Sequence, residues 1–301
     1  MLLPEFEYFA PGTVEEALAL LERFGDGAKI LAGGTDLLLM MKDKLIRPRC
    51  LIDITGVAAL NGIRYTPGQG LIIGAAAKIA AVERSPLVRE KYFALHQAAG
   101  ELGSAQVRAM ATIGGNSCHA SPAAETPPPL IALGTKVKLQ SRAGERELPL
   151  ADFILGNRQT ALRNGEILTS FFLPEPPPNS ASRYQCLGLR DAMEIDIVNA
   201  AVNLVLDEDG ATCRDVRIVM GSVAPAPLRA RQAESALAGG RLDAAAIEEA
   251  ARIAAGEAKP ISDLRASAEY RREVMAVVVK RALQQAFYTL TTGPNKGGLC
   301  S

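Results

Sequence analysis

Two short segments with paired glycines beside a hydroxyl could hold an anion. They are Ala-Gly-Gly-Thr-Asp at 32–36 and Thr-Ile-Gly-Gly-Asn at 112–116, and each follows a stretch that is predicted to be extended. Paired glycines permit positive φ and close backbone approach, so successive N–H groups can converge on one negative group. A helix that starts just after such a loop adds the positive end of its dipole. Together the two segments could bind a pyrophosphate, although each pair could also be only a tight turn.

The chain lacks the two common sequence signatures of phosphate binding. No G-x-x-x-x-G-K-[ST] is present, which excludes a standard P-loop NTPase. No G-x-G-x-x-G follows the first predicted strand, which argues against a Rossmann site. If a dinucleotide binds at the glycine pairs, it therefore binds on a different scaffold.

Cys118 and His119 lie shortly after the second glycine pair, and both residue types can ligate metals. On an extended segment, which we expect here, adjacent side chains point to opposite faces and cannot ligate one ion. No two of the five cysteines lie within four residues of each other, so the spacings of iron–sulfur and zinc ligands are missing. We expect no metal site in this chain. His119 then either contacts a cofactor or is a plain loop histidine, and His96 is expected to be a partly buried structural residue.

The composition is that of a globular protein without a nucleic-acid partner. The 301 residues suggest about two domains, and 48% of them are hydrophobic. Lys+Arg and Asp+Glu both number 33, so the net charge is zero and no electrostatic attraction to phosphate backbones is expected. No apolar run reaches the roughly 18 residues that span a bilayer. The segment 1–16 carries early acidic residues instead of a basic signal region, and a cytoplasmic location is expected.

Hydrophobic periodicity and turn residues predict an α+β protein in two parts. The predicted helices cover 14–24, 37–45, 87–103, 230–239, 242–258 and 267–287. Strands are expected at 28–31, 50–54, 182–189, 197–207 and 213–223, and hairpins turn at Pro67-Gly68 and Ala143-Gly144. Four prolines within 174–178 favour an extended linker. We therefore expect one domain over 1–175, with subdomains 1–58 and 59–175, a second domain over 180–290, and a mobile tail at 291–301.

Four blocks of the sequence resemble one family in their order and spacing. They are ILAGGTDLLLMMKDKL from Ile30, the stretch from Glu101 to Leu139 that contains ATIGGNSCHASPAAETPPP, GEIL from Gly165, and RYQCLGLRDAMEIDIVNAAVNL from Arg183. The chain resembles the FAD-binding medium subunit of the molybdenum hydroxylases, the group of xanthine, carbon monoxide, nicotinate and 4-hydroxybenzoyl-CoA enzymes. The resemblance covers about residues 4–290. It implies a two-part FAD-binding domain of the vanillyl-alcohol-oxidase-like (PCMH) type, followed by a C-terminal α+β domain.

The resemblance also implies which residues contact FAD. On one side of the pyrophosphate it places Ile30, Leu31, Ala32, Gly33, Gly34, Thr35 and Asp36. On the other side it implies backbone and side-chain donors from Thr112, Gly114, Gly115 and Asn116. The further contacts that it implies are Leu102, His119, Glu125, Leu168 and Gln185. Glu125 stands where the family usually has an aspartate, and Gln185 where the xanthine enzymes carry a lysine, so this chain lacks that positive charge beside the flavin. No catalytic acid or base is assigned.

The function that the resemblance implies is electron transfer in a multi-subunit enzyme. A large partner chain would hold molybdopterin and a small partner chain two [2Fe–2S] clusters, and electrons would pass through FAD to NAD⁺ or another acceptor. This chain has no cysteine-bearing insertion like that of 4-hydroxybenzoyl-CoA reductase, which argues against that branch. Two alternatives stay open. One is a self-sufficient FAD-dependent reductase or oxidase, in which only His96 or His119 could link the flavin covalently, and the other is a nucleotide-binding module without redox activity.

Overall fold

The computed structural model describes residues 3–190 and 193–293. In this part of the chain, three successive regions build sheets that helices cover. This is the α+β architecture that the sequence predicts. The predicted mobile tail at 291–301 begins inside the last helix, which includes Thr291 and Thr292, and its residues from 294 onward lie outside the described residues.

The first region is a three-stranded parallel sheet with two helices. Its elements are β1 (Glu7–Phe9), α1 (Val14–Phe24), β2 (Ala28–Leu31), α2 (Leu37–Lys42) and β3 (Cys50–Asp53). Helix α1 begins after Thr13, whose hydroxyl accepts the Glu16 N–H at 3.2 Å, and Gly25 ends it with a φ of +52°. The strand order is β1-β3-β2 with all strands parallel. The loop after β2 therefore leaves the sheet at its carboxyl edge, where open parallel sheets bind ligands.

The second region is a five-stranded antiparallel sheet, and all its helices except the last are inserted between the second and third strands in chain order. The strands of this region are β4 (Ile63–Thr66), β5 (Gly70–Gly74), β6 (Lys136–Ser141), β7 (Gly144–Pro149), β8 (Ile154–Gly156), β9 (Gln159–Thr160) and β10 (Ile167–Pro174). Its helices are α3 (Ile79–Arg84), α4 (Pro86–Lys91), α5 (Phe93–Glu101), α6 (Ala105–Met110), α7 (Ile113–His119), α8 (Pro127–Ala132) and α9 (Leu150–Phe153). The main sheet has the order β4-β5-β10-β6-β7, and both predicted hairpins, β4/β5 and β6/β7, are present.

Three local predictions in these regions are wrong. The single helix expected over 87–103 is two helices, because Tyr92 leaves helical geometry (φ −130°, ψ 51°) and its side chain is fully buried. Helix α2 ends at Lys42 rather than 45, and Lys44 takes a φ of +58°. The segment with Cys118 and His119 is helical rather than extended, since it forms the end of α7.

The third region is a four-stranded antiparallel sheet covered by long helices. Its elements are β11 (Ser180–Leu187), β12 (Val198–Leu206), β13 (Cys213–Gly221), β14 (Leu228–Arg229), α10 (Arg231–Leu237), α11 (Ala244–Glu257) and α12 (Ala268–Thr292). All residues of β12 except Asn203 are buried, so both faces of this strand pack against other elements. This burial on both faces explains its nearly continuous apolar sequence, since a strand with one solvent-exposed face alternates apolar and polar residues.

The third sheet shares a core with the second region. On one face, α11 and α12 complete a separate apolar cluster with β12 and β13. On the other face, Tyr184, Ala201 and Val219 join the core that contains α3, α5 and the second sheet. The second and third regions therefore pack together without a gap, and the domain boundary at 175–180 remains a prediction. Among the described residues, no helix has both the length and the apolar character needed to cross a bilayer.

Candidate cofactor site

A cavity of about 670 Å³ opens where the first region, the second region and the loop before β12 meet. This volume lies within the range of roughly 300–1,000 Å³ that is typical of sites that bury a ligand. Most of the predicted cofactor residues line it, namely Ile30, Ala32, Gly33, Gly34, Thr35, Asp36, Leu102, Thr112, Gly114, Gly115, Asn116, His119, Glu125 and Leu168. Two do not, Leu31 and Gln185. The fold thus brings together residues that lie more than a hundred positions apart in the sequence.

The first glycine segment, residues 32–36, connects β2 to α2 and leaves its backbone donors open. Within the described part of the chain, the N–H groups of residues 33–36 donate to no protein acceptor. Gly34 has a φ of +74°, and Asp36 precedes α2 without a side-chain hydrogen bond to the helix. Successive open N–H groups at a glycine turn before a helix form an anion-binding concavity.

The second glycine segment, residues 112–116, satisfies its own backbone. The Thr112 hydroxyl caps α7 by accepting the Gly115 N–H at 3.0 Å, and the N–H groups of 113, 114 and 116 donate to main-chain carbonyls at 2.9–3.1 Å. These N–H groups are thus engaged within the protein, and the cofactor contacts predicted for Gly114, Gly115 and Asn116 remain predictions. The Asn116 side chain fits its predicted role better. Its Oδ1 accepts from the Thr126 hydroxyl at 2.6 Å, which leaves the amide N–H groups available at the cavity.

The glycines of both segments permit close packing of backbone on backbone. A Cβ on Gly33 would lie 2.6 Å from the Met110 carbonyl oxygen and 2.7 Å from the Ala111 Cα. A Cβ on Gly114 would lie 2.5 Å from the Ala75 carbonyl oxygen. Of the four glycines in the two segments, only Gly34 has a positive φ. Gly33 therefore permits the contact between the first segment and residues 110–111, just before the second segment, and Gly114 permits the contact with Ala75.

Asp36 and His119 face each other at the cavity, one from each side. Their Oδ1 and Nε2 atoms are 3.6 Å apart. Cys118 precedes His119 on α7, and burial raises the pKa of its thiol to about 12, so it stays protonated and is a poor metal ligand. The described residues contain no group of three or more His, Cys, Asp or Glu side chains placed to hold a metal ion.

Glu125 is a buried carboxyl in the cavity wall. Within the described residues its side chain forms no hydrogen bond to another residue, and only its own backbone N–H lies near enough to lower its pKa. Desolvation, followed by the negative charge of Asp196, raises the pKa of Glu125 to about 8. Asp196 is itself buried, where it accepts from the Tyr184 hydroxyl at 2.8 Å and the Asn199 amide at 2.9 Å, and desolvation raises its pKa to about 6. At neutral pH Glu125 is therefore mostly uncharged and can donate one hydrogen bond into the cavity.

Leu31 and Gln185 occupy positions outside the cavity lining. The Leu31 side chain packs under the glycine turn, since a Cβ on Gly34 would lie 3.2 Å from its Cδ1. Gln185 Nε2 donates to Gln285 Oε1 on α12 at 3.1 Å. The flavin contact predicted for Gln185 remains a prediction.

Sequence reasoning missed a run of lining residues at 162–167, just before the predicted Leu168. Residues 162–166 lie in the turn between β9 and β10, and Ile167 begins β10. Their residue types form no known ligand-binding pattern. The GEIL block that starts at Gly165 was the available signal, because it belongs to the matched family pattern. The loop residues Glu194 and Ile195 also line the cavity and were not predicted.

Two family models match the chain almost end to end. The FAD binding domain in molybdopterin dehydrogenase matches residues 4–176, and the CO dehydrogenase flavoprotein C-terminal domain matches residues 183–286. The chain belongs to the FAD-binding medium subunits of the molybdenum hydroxylases. As a medium subunit, it is part of a multi-subunit molybdenum-containing oxidoreductase.

Relatives of full length support this membership. The chain is 35% identical over 287 residues to the carbon monoxide dehydrogenase medium chain of Hydrogenophaga pseudoflava, covering 95% of this chain and 99% of the relative. It is 30% identical over 280 residues to the xanthine dehydrogenase FAD-binding subunit of Escherichia coli O157:H7, covering 93% and 95%. A solved structure of the Hydrogenophaga pseudoflava enzyme, which lacks the Mo-pyranopterin moiety, superimposes with a TM-score of 0.91 over 95% of this chain and 99% of that one, at 35% identity. Quinoline 2-oxidoreductase from Pseudomonas putida 86 gives 0.89 at 28% identity, covering 96% and 99%.

Proposed function

We propose that this medium subunit takes electrons from [2Fe–2S] clusters on a small partner chain and passes them to NAD⁺ or another acceptor. Molybdopterin would lie on a large partner chain, where the substrate is oxidised. The observation that carries the proposal is the row of open N–H groups at residues 33–36, which faces a ligand-sized cavity inside the FAD-binding region.

The FAD pyrophosphate would bind at the first glycine segment. Its N–H groups at 33–36 and the Thr35 hydroxyl supply donors, and the α2 N-terminus adds a favourable dipole. On the opposite side, the Asn116 amide would add a side-chain donor. The second glycine segment serves as support, because its own N–H groups are already engaged.

The rest of the cavity fits an uncharged aromatic ring system. Leu102 and Leu168 are both more than nine-tenths buried and supply apolar surface. Glu125 can donate a hydrogen bond at neutral pH, because its carboxyl is mostly protonated there. A bound flavin supplies the ability to accept electrons singly and to release them as a pair. This chain binds it, orients it and excludes water, and none of its side chains is assigned a proton-transfer step.

We also propose the domain division of the sequence analysis, with FAD binding in 1–175 and a C-terminal domain in 180–290. The two family models, which meet between residues 176 and 183, support it.

Flavin content and partner chains test this function. Incubation of the purified full chain with FAD is expected to give one tightly bound flavin, which acid denaturation releases into the supernatant. A tagged copy from the native host is expected to co-purify with a chain that carries two [2Fe–2S] clusters, and the isolated subunit should not oxidise a reducing substrate. Flavin that stays on the acid-precipitated protein, together with turnover by the lone chain, would support a self-sufficient flavoenzyme instead. A chain that binds no FAD would refute the proposal.

A further inference from the structure

The turn between β9 and β10 forms a continuous wall of the cavity. Every residue from 162 to 168 lines it, which no other segment of this length does among the described residues. The turn has little regular structure of its own, because β9 contains only Gln159 and Thr160. Within the turn, the Glu166 N–H donates to the Arg163 carbonyl at 3.1 Å, and further support comes from contacts outside the turn.

Arg146 on β7 makes those contacts from behind the wall. Its Nε donates to Glu166 Oε1 at 2.7 Å, its Nη2 to Glu166 Oε2 at 2.8 Å, and Nη2 also to the Ala161 carbonyl at 2.6 Å. Glu166 Oε2 accepts in addition the Arg163 N–H at 2.8 Å. Arg146 is not among the cavity-lining residues, whereas Glu166 is. One guanidinium thus fixes both ends of the turn.

The pair also controls charge at the cavity. The Glu166 side chain is only 8% exposed, so its carboxylate is poorly screened by water. The charged groups that act on it are Arg146 and, from its own turn, Arg163, and the Arg146 hydrogen bond is the largest cause of the lowered pKa of Glu166. A fork of two parallel hydrogen bonds neutralises a carboxylate more completely than a single ammonium contact.

We propose that Arg146 is a positioning residue for the cofactor: it holds the 162–168 wall in shape and neutralises Glu166 there. The proposal rests on the proposed function, because an anionic cofactor in the cavity makes the neutralisation necessary. Without Arg146, Glu166 would present an unpaired negative charge to the cavity that receives a pyrophosphate. Binding would then weaken through charge as well as through loss of shape.

The test compares FAD affinity and stability in four variants of the full chain. These are Arg146→Met, Arg146→Lys, the double variant Arg146→Met/Glu166→Gln, and the control Arg142→Met. Arg142 lies on the same hairpin in an exposed ion pair with Glu22, so it matches the charge change without touching the turn. The FAD dissociation constant is measured by flavin fluorescence quenching, and folding by thermal unfolding of the apoprotein.

Arg146→Met is expected to raise the FAD dissociation constant roughly tenfold or more, the effect of one poorly screened charge nearby. The double variant removes that charge and should recover most of the loss, and Arg146→Lys should bind FAD better than Arg146→Met. A merely structural role would not predict the pH response. As pH falls, the unpaired Glu166 of Arg146→Met gains a proton and FAD affinity should recover toward wild type, whereas Arg142→Met should follow the wild-type profile.

The opposite results are distinct from failure of the proposed function. If wild type binds FAD and Arg146→Met binds it equally well, the positioning role is refuted. If the double variant is as weak as Arg146→Met and neither changes with pH, the neutralising role is refuted. If Arg146→Met does not fold, Arg146→Lys and the double variant decide the question. FAD affinities and pH profiles equal to those of wild type in both variants support the proposal, and loss of FAD binding in both refutes it. Only a wild-type chain that binds no FAD would refute the proposed function.

Discussion

The two glycine segments have similar sequences, but their backbone N–H groups differ in their hydrogen bonding. In the first segment the N–H groups of 33–36 remain open toward the cavity, whereas in the second segment those of 113–116 are all engaged inside the protein. The difference begins at the residue before each helix. Thr112 caps α7 with its hydroxyl, and Asp36 makes no side-chain hydrogen bond to α2.

The comparison separates a loop with N–H groups unpartnered among the described residues from a loop whose N–H groups are engaged within the protein. In the second segment, a Cβ on Gly114 would meet the Ala75 carbonyl in the loop after β5, and a Cβ on Gly115 would lie 2.8 Å from the Thr112 hydroxyl oxygen. In the first segment, Gly34 supplies a positive φ and Gly33 the close approach to the 110–111 backbone. The Gly-Gly dipeptide thus meets a different physical requirement in each segment: open N–H donors in the first and dense packing in the second.

The largest effect is expected at the contact between Gly33 and residues 110–111, just before the second segment. Gly33→Ala puts a Cβ within 2.6 Å of a backbone carbonyl, so the segments must separate. We expect a loss of about 3 kcal/mol in unfolding free energy and of at least tenfold (~1.4 kcal/mol) in FAD affinity. The matched control is Gly56→Ala, because a Cβ there has no atom within 4 Å. Urea denaturation and FAD titration that gave equal results for both variants would show that the segments are not joined through Gly33.

The protonation of Glu125 provides a second test of the comparison, because this carboxyl lines the same cavity as the open donors. Its pKa rises to about 8 in the folded protein, from roughly 4.3 in an unfolded chain. The folded state therefore binds the proton more tightly. This contribution to stability is fully present below about pH 4.3, falls as the unfolded chain ionises, and is gone once pH has risen through about 8.

Glu125→Gln is expected to remove that pH dependence and to be more stable than wild type above pH 8 by roughly 2 kcal/mol. FAD affinity should also fall above about pH 8 in wild type and not in Glu125→Gln, since only the wild type gains a charge beside the cofactor. The control is Glu147→Gln, an exposed carboxylate on β7. Parallel stability curves for wild type and Glu125→Gln would contradict the expected protonation.

The smallest effects are expected from substitutions of Thr112 and Thr35, one threonine in each glycine segment. Thr112→Val removes the cap of α7 and should cost about 1 kcal/mol in stability with little change in FAD affinity. Thr35→Val removes a hydroxyl that has no partner among the described residues, and it should leave stability unchanged while FAD affinity falls roughly fivefold, or about 1 kcal/mol. Denaturation and FAD titration of the two variants give a direct contrast. Equal losses of both properties in both variants would remove the distinction between binding and supporting segments.

Much of the fold followed from local pattern. The strands at 28–31 and 50–53, both hairpins and the helices of the third region were predictable because periodicity and turn residues act over a few positions. The break at Tyr92 was not, since a buried aromatic that packs on the second sheet overrides a continuous helical pattern. The helical state of 113–119 was missed for a similar reason. Glycines are poor helix formers, and the helix forms because Thr112 caps it and Gly114 packs against Ala75 after β5.

By itself the sequence determined the family, the α+β class and fourteen of the residues that line the cavity, because four blocks in register specify them together. Only the tertiary structure decided which glycine segment keeps its donors, that Glu125 is buried and protonated, and that Arg146 supports the wall at Glu166. The physical reason is the same in each case. Hydrogen-bond satisfaction and desolvation depend on groups that are distant in the chain and adjacent in space, and no local pattern records them.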